Sequence, residues 1–356
     1  MTRLSRAETQ ERNRARVLAA ALDEFTEHGF RDAKVDRIAD RAELTRGAVY
    51  SNFPGKRALY FAVLAQAAER ASLPQPSAPA STARAILADF ARDWMARLPL
   101  ADEEQSSAAR LDRDLLPEIA ADEHTRRPFS QLTSLSAILL GLCLEKTYPR
   151  EQSAPRMVGA AEAALTMLCG ATQLAAAAPG FADPFAVVLA CEQLAELSLH
   201  DSWQPAHLPH VPPARTVSRN WAPPPATDAL RDQPAFLDRD GILAVLGLHR
   251  LAAIEEALRA APPEAAITAV LVTSDPGELG LLARLAITRL RNSLRAAAAP
   301  SAWPRLQIIH DESGALAAAA GTLATSDATE TAVRIHAGRI VAEADGYGAC
   351  YSVALV

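Results

Sequence analysis

Lysine is nearly missing from this chain: it stands at Lys34, Lys56 and Lys146 and nowhere else, although arginine abounds. Cysteine is scarce too. Cys143, Cys169, Cys191 and Cys350 lie far apart, with no CxxC pair, so a disulfide framework is excluded and a cytoplasmic protein with reduced thiols is expected. No cluster of histidine, cysteine and carboxylate has metal-ligand spacing, and no metal or other cofactor is expected. No run of about 18 residues is free of charge and apolar enough to span a bilayer. The arginine-rich start has no apolar segment of the kind a secretory signal needs. A nucleophile-elbow sequence is also absent, so no catalytic residue is assigned and an enzyme is not expected.

What is present sets other bounds. A chain of 356 residues has room for two or three domains, and 49% hydrophobic against 22% charged residues allows a sizeable core. The formal charge of −6 is unevenly spread: residues 1–60 hold twelve Lys/Arg against nine Asp/Glu, a net of +3, which leaves −9 for the remainder. A basic head on an acidic body fits a protein in which only the head meets a polyanion.

Helix signals dominate the first two hundred residues. Leu18, Ala21, Leu22 and Phe25 share one face of a helix over 12–28, which stops at His28-Gly29. A short helix is expected around 35–41, and a third, capped by Thr45, should end near Phe53. Pro54-Gly55 then starts a fourth. After a soft segment at 72–81, body helices are expected at about 82–98, 103–121, 126–147, 155–178 and 184–200. Eight prolines in 203–235 suit an extended linker. Beyond it, a helix at about 240–260, a strand at 266–274, a helix at 277–298, a strand at 305–310 and a helix at 312–320 precede two strands joined at Ala337-Gly338. The expected fold is therefore mainly α, ending in a small α/β domain. The divisions are a helix-turn-helix domain at 1–71, a helical ligand-binding and dimerisation domain at 82–202, the linker, and the α/β domain at 236–356.

Two short helices joined by a tight turn make a helix-turn-helix, although a generic three-helix core would use such helices equally well. The residues of "LTRGAVYSNFPGK" (44–56) favour the first reading. With Ala48 and Val49 inward, Arg46, Gly47, Tyr50, Ser51 and Asn52 are left facing outward. That set suits a major groove: arginine and asparagine read base edges, hydroxyls reach phosphates, and glycine permits close approach. Lys56, at the start of the next helix, suits a phosphate. The segment 16–64 resembles the DNA-binding domain of the tetracycline-repressor (TetR) family through Phe25, Gly29-Phe30, Ile38-Ala39, Ala42, the run Thr45 to Tyr50, Phe53, and Lys56 with Leu59. The resemblance implies that Thr45, Arg46 and Tyr50 contact DNA, with Tyr50 and Lys56 on phosphates and Arg46, Ser51 and Asn52 nearest the bases. Lys34 stands near where the family often has a hydroxyl, and as a point charge it replaces that phosphate contact. Glu43 stands where glycine is common, at a cost of roughly 1–2 kcal/mol if its backbone is left-handed.

By the same resemblance the body binds a small-molecule effector and forms a homodimer through its last two helices. Val158, Ala161, Leu165, Leu168, Thr172, Val187, Val188, Leu194 and Leu197 could serve that contact or the internal core equally. Trp94, Met95, His124, Met157 and Met167 are candidate pocket residues, although residues of these types are more often core or surface fillers. The tail is similar to the second half of thioredoxin-like and peroxiredoxin-like domains, through "ITAVLVTSDPGEL", "PRLQIIHDESGALAAAAG" and "TAVRIHAGRIVAEADGYG". The cysteine that their chemistry needs at a helix start is missing from 237–249, so a redox-inactive copy is expected. The expected function is a repressor that binds a palindromic operator as a dimer and is released by the effector. A thiol oxidoreductase or redox sensor working through the tail is the alternative.

Overall fold

The computed structural model describes residues 5–71, 80–98, 111–148, 156–197, 199, 211, 213–262 and 264–356. Helix α1 (Arg6–Asp32) opens with a capping box. The Ser5 hydroxyl accepts the Glu8 N–H at 3.2 Å, and Glu8 accepts the Ser5 N–H at 2.6 Å. Gly29, at φ 71°, breaks the helical path at the expected stop, and the chain turns inward at Phe30. Helices α2 (Val35–Arg41), α3 (Arg46–Asn52) and α4 (Lys56–Arg70) follow as the sequence predicts. The Tyr60 ring lies 5.3 Å from Phe25 and 4.9 Å from Phe30, which ties α4 to the end of α1.

The body comprises α5 (Ala83–Met95), α6 (Leu115–Ala120), α7 (Glu123–Glu145), α8 (Val158–Ala177) and α9 (Pro184–Gln193). Most of the soft segment at 72–81, and the first part of the helix expected at 103–121, lie outside the described residues. By length and composition alone α7 and α8 could cross a membrane, yet they are packed as core helices. Leu132, Leu135, Leu139 and Leu140 of α7 and Leu165 and Leu168 of α8 are buried. Val158, Ala161 and Leu194 also turn inward, while Leu197 stays exposed.

The C-terminal region forms a six-stranded mixed sheet from β1 (Arg215–Asn220), β4 (Gly241–Gly247), β5 (Ala266–Val272), β6 (Leu306–His310), β7 (Glu330–His336) and β8 (Arg339–Asp345). Thr227–Asp228 (β2) and Gln233–Pro234 (β3) pair separately. The order across the sheet is β1-β8-β7-β4-β5-β6, with β4, β5 and β6 parallel and β7, β8 and β1 running antiparallel to their neighbours. Two positive-φ residues, Ala337 at 47° and Gly338 at 70°, make the tight β7–β8 turn. The strand β1 lies inside the stretch expected as linker. The expected helix at 240–260 is corrected: its first half is β4, and only Ile254–Ala260 (α10) is α-helical. A central strand buried on both faces reads as a continuous apolar run, and "GILAVLG" carries no period that separates it from a buried helix.

Alternate residues divide the sheet between two cores. Leu243, Val245 and Val270 pack on α12 (Ala315–Ala320) and Trp221. Ile242, Ala244, Leu246, Ile267 and Ala269 face the other way. On that side lie α11 (Leu279–Ala297) and, near the chain end, α13 (Ala349–Ala354). Helix α11 is buried along nearly its whole length, and it packs against α4, α5 and α7. One continuous core thus runs from the head and body through α11 to the sheet.

Candidate nucleic-acid interface

The three-helix head is fixed by charge as well as by apolar contact. Glu24 of α1, fully buried, accepts the Lys34 N–H at 3.2 Å where α2 begins. The Arg41 guanidinium pairs with Glu27 and lies 3.5 Å from Glu24. Glu24, Glu27 and His28 sit close enough to hold a cation, but Arg37 and Arg41 already supply positive charge there. The trio therefore acts as an ion-pair cluster that clamps α2 onto α1.

Helix α3 begins as expected, with the Thr45 hydroxyl accepting the Ala48 N–H at 3.2 Å. Val49 is buried and Ala48 half-buried, while Thr45, Arg46, Gly47, Tyr50 and Ser51 are exposed on one continuous surface. The Arg46 guanidinium lies 5.6 Å from the Tyr50 ring centroid and 3.3 Å from Asp36 of α2. The Tyr50 hydroxyl, and then Asp36, raise the Arg46 pKa above its ordinary value. A Cβ at Gly47 would meet only Thr45 Oγ1, at 3.9 Å, so nothing within the protein demands glycine there. Ser51 and Asn52 are turned back, donating to the Ala48 carbonyl at 2.9 and 2.8 Å. Lys34 is exposed at the start of α2, on the same polar rim as Asp36 and Arg37.

Lys56 opens α4, whose first turn has no side-chain cap. Its ammonium donates to the Arg31 carbonyl at 3.1 Å and lies 4.7 Å from the Phe30 ring centroid. Partial burial there lowers its pKa, against the attraction of Glu118 and Asp32. The backbone N–H groups of that first turn have no side-chain acceptor, and the Lys56 ammonium is turned toward Arg31 and Phe30. The next residue, Arg57, faces inward and bridges Asp122 at 2.6 Å and Glu278 at 2.5 Å.

Glu43 has φ 50°, in the left-handed region, and its carboxylate accepts from Arg16 at 2.5 Å. An exposed pair of this kind is worth a fraction of the backbone cost, about 0–1 against about 1–2 kcal/mol. Glu43→Gly should therefore raise stability by about 0.5–1 kcal/mol, read as a higher urea midpoint. It should also tighten non-specific DNA binding by removing a carboxylate beside the helix pair. An unchanged or lowered midpoint would show that the Arg16 pair outweighs the strain.

Sequence reasoning missed Asp36 as the partner of Arg46. It also missed Arg14, which stacks 4.5 Å from the Phe53 centroid and donates to the Asn52 carbonyl at 3.3 Å. Neither pairing has a local signal, since each joins residues on different helices. Of the candidate pocket residues, Trp94 lines a cleft in the body. Met95 and Met157 are buried in the core, Met167 packs on Cys191, and His124 meets Asp275 at 3.2 Å on the surface.

Residues 17–63 match the profile described as bacterial regulatory proteins, tetR family, and this segment is a helix-turn-helix domain of that type. The HTH-type transcriptional regulator SrpR of Pseudomonas putida is 48% identical over 65 residues, 18% of this chain and 30% of SrpR. TtgW, an uncharacterized HTH-type transcriptional regulator of the same species, is also 48% identical over 65 residues, 18% of this chain and 48% of TtgW. The chain thus spans less than half the length of each of these relatives. A solved transcriptional regulator from Rhodococcus sp. RHA1 is similar over 52% of this chain and 96% of its own, at 24% identity and a TM-score of 0.35.

Proposed function

We propose that this protein is a transcriptional repressor that binds a palindromic operator as a homodimer in the cytoplasm and is released by a small-molecule effector. The observation that carries the reading is the exposed Arg46–Gly47–Tyr50 surface on a capped helix, beside the uncapped start of α4. A two-fold operator needs two such helices about one DNA turn apart. The dimer face we assign is the apolar strip at the α8–α9 corner. Phe181, Phe185 and Leu189 follow one another at four-residue steps, and are 72%, 83% and 54% exposed. A second copy is the fitting occupant, because a strip shared across a two-fold axis covers itself.

The region 236–356 we read as a thioredoxin-like or peroxiredoxin-like scaffold that serves assembly and sensing. Its strand–helix–strand–helix–strand–helix–hairpin order supports this. Thiol chemistry has no support among the described cysteines. Burial pushes the Cys143 thiol to about 12 and the Cys191 thiol to about 11, and raises those of Cys169 and Cys350.

The test is selection of genomic fragments by the purified protein, repeated with Phe185→Asp. The selected fragments should share an inverted repeat. The substitution removes two buried phenylalanines per dimer, about 3–6 kcal/mol, so the dimer dissociation constant should rise at least ~100-fold by light scattering. Fragments with a single half-site, or an unchanged dimer, would overturn the dimeric assignment.

A further inference from the structure

A cleft in the body is closed on one side by α11, from the C-terminal region. Its total space, mouth included, is about 920 Å³. The walls are mainly apolar and aromatic, with Phe90, Trp94 and Phe129 from the body. The charged groups at the wall are Arg97 of the segment after α5, Arg289 of α11, and Asp112 just before α6. Arg97 is held from behind: it donates to Asp93 at 2.7 Å and to Ser293 at 3.1 Å, and Ser293 donates to the same Asp93 oxygen at 2.7 Å. Arg289 pairs with Asp112. Each guanidinium has five N–H donors. The described hydrogen bonds use two donors of Arg97 and one of Arg289, so donors remain at the wall of an otherwise apolar site.

The segment that carries Asp112 also grips the head. The Leu111 carbonyl accepts the Tyr60 hydroxyl of α4, and Asp114 accepts the Phe30 N–H at 2.7 Å, beside the Gly29 break. Leu115 and Leu116, the next residues, line the cleft again. At its other end α11 meets the head directly. Glu278, just before its first residue, pairs with Arg57, and a Cβ added at Gly277 would come within 3.1 Å of Pro54 Cγ. Two of the pieces of chain that wall the cleft, 111–116 and α11, therefore both hold the DNA-binding head. The Arg289–Asp112 pair latches one to the other.

We propose that this cleft takes an apolar or aromatic molecule bearing one anionic group, which takes Arg289 from Asp112 and so unlatches 111–116 from α11. This rests on reading the protein as an effector-released DNA binder and specifies the effector's chemistry. The anion replaces Asp112 as the partner of a charge already in place, and the apolar part fills the space between Trp94 and Phe129. The freed segment then no longer fixes Phe30 and Tyr60, and the spacing of the two heads on DNA is lost. The C-terminal region is in this way half of the sensor.

Calorimetric titration of the full chain with naphthylacetate and with naphthylethanol, its neutral analogue, tests the proposal. The acid should bind at least about tenfold tighter than the alcohol, the size of one charge-assisted hydrogen bond. Asp112→Asn, which removes the competing carboxylate, should tighten the acid by about tenfold and leave the alcohol unchanged. Arg289→Gln should abolish the preference, with circular dichroism to verify folding; if it does not fold, Asp112→Asn alone decides. Equal binding of acid and alcohol, no binding of either, or an acid affinity unmoved or weakened by Asp112→Asn would overturn the assignment. Release of a selected DNA fragment by the acid is followed separately. A protein that prefers the acid but selects no DNA would keep the site and sink the reading as a repressor.

Discussion

A chain ended at residue 202 should fail to fold into a soluble, DNA-binding protein, even though it keeps the whole head and body. Helix α11 places Leu279, Leu281, Leu282, Leu285, Ile287, Leu290 and Leu294 in the core it shares with α4, α5 and α7. At about 1.5–3 kcal/mol for each large aliphatic side chain, their burial is worth on the order of 10–20 kcal/mol, an upper bound because the unfolded chain is already partly compact. That matches or exceeds the ~5–15 kcal/mol by which a domain is stable at all. Polar contacts would be lost as well. Lys146 would lose its donation to the Trp303 carbonyl at 2.6 Å, and Glu145 its pair with Arg259 at 2.6 Å. The shared core also predicts one calorimetric unfolding transition for body and C-terminal region together. Leu282→Ala, a smaller cut, should cost about 2–5 kcal/mol and lower that single transition without splitting it. A soluble fragment 1–202 that melts cooperatively, or two well-separated transitions in the full chain, would show that the two regions are energetically independent.

The head was legible because its elements are punctuated locally. Thr45 caps α3, Pro54 and Gly55 end it, and Gly29 stops α1, so stops and caps fall within a few residues of the helices they bound. Glu43 stands where the resemblance puts a glycine, and its φ of 50° is the left-handed backbone that was only a condition there. The strand β4 was not legible, because burial on both faces erases the period of two on which strand assignment depends. The role of α11 was hidden for a different reason. Its helical period was plain, but a period states only that one face is apolar and never which neighbour covers it. Arg57 and Glu278 meet across 221 positions of sequence. The cleft suffered likewise. Trp94 stood out by residue type, whereas Asp112 and Arg289 look like surface charges until α11 is brought against the segment before α6.

Arg46→Ala together with Tyr50→Phe should abolish specific DNA binding while leaving the fold intact. Both side chains are exposed, and neither fills a core position. What they lose in the free protein is small: a 3.3 Å pair between Arg46 and Asp36, both largely solvated, and the exposed contact of Arg46 with Tyr50. On the proposed reading, Arg46 would leave Asp36 for a base edge, where a bidentate contact discriminates by about 1–3 kcal/mol. The proposed dimer would present it twice, so affinity for the operator should fall by about 30-fold to about 10⁴-fold for Arg46→Ala alone. Tyr50→Phe removes a phosphate contact and should weaken all sequences alike, with little change in salt dependence, since no charge is lost. Lys34→Ala gives the opposite pattern, a salt slope lower by about 1 per subunit with sequence preference kept. Gly47→Ala sharpens the contrast. An added methyl meets only Thr45 Oγ1, at an ordinary contact distance, and favours the helix by up to about 1 kcal/mol, so stability should hold or rise while operator binding falls. Gel-shift titrations of the selected operator and a scrambled control, at two salt concentrations beside a thermal melt, separate these cases. Specific binding retained by the Arg46/Tyr50 double variant would remove α3 as the recognition helix, and loss of binding with a lowered melt would mean only that the head had unfolded.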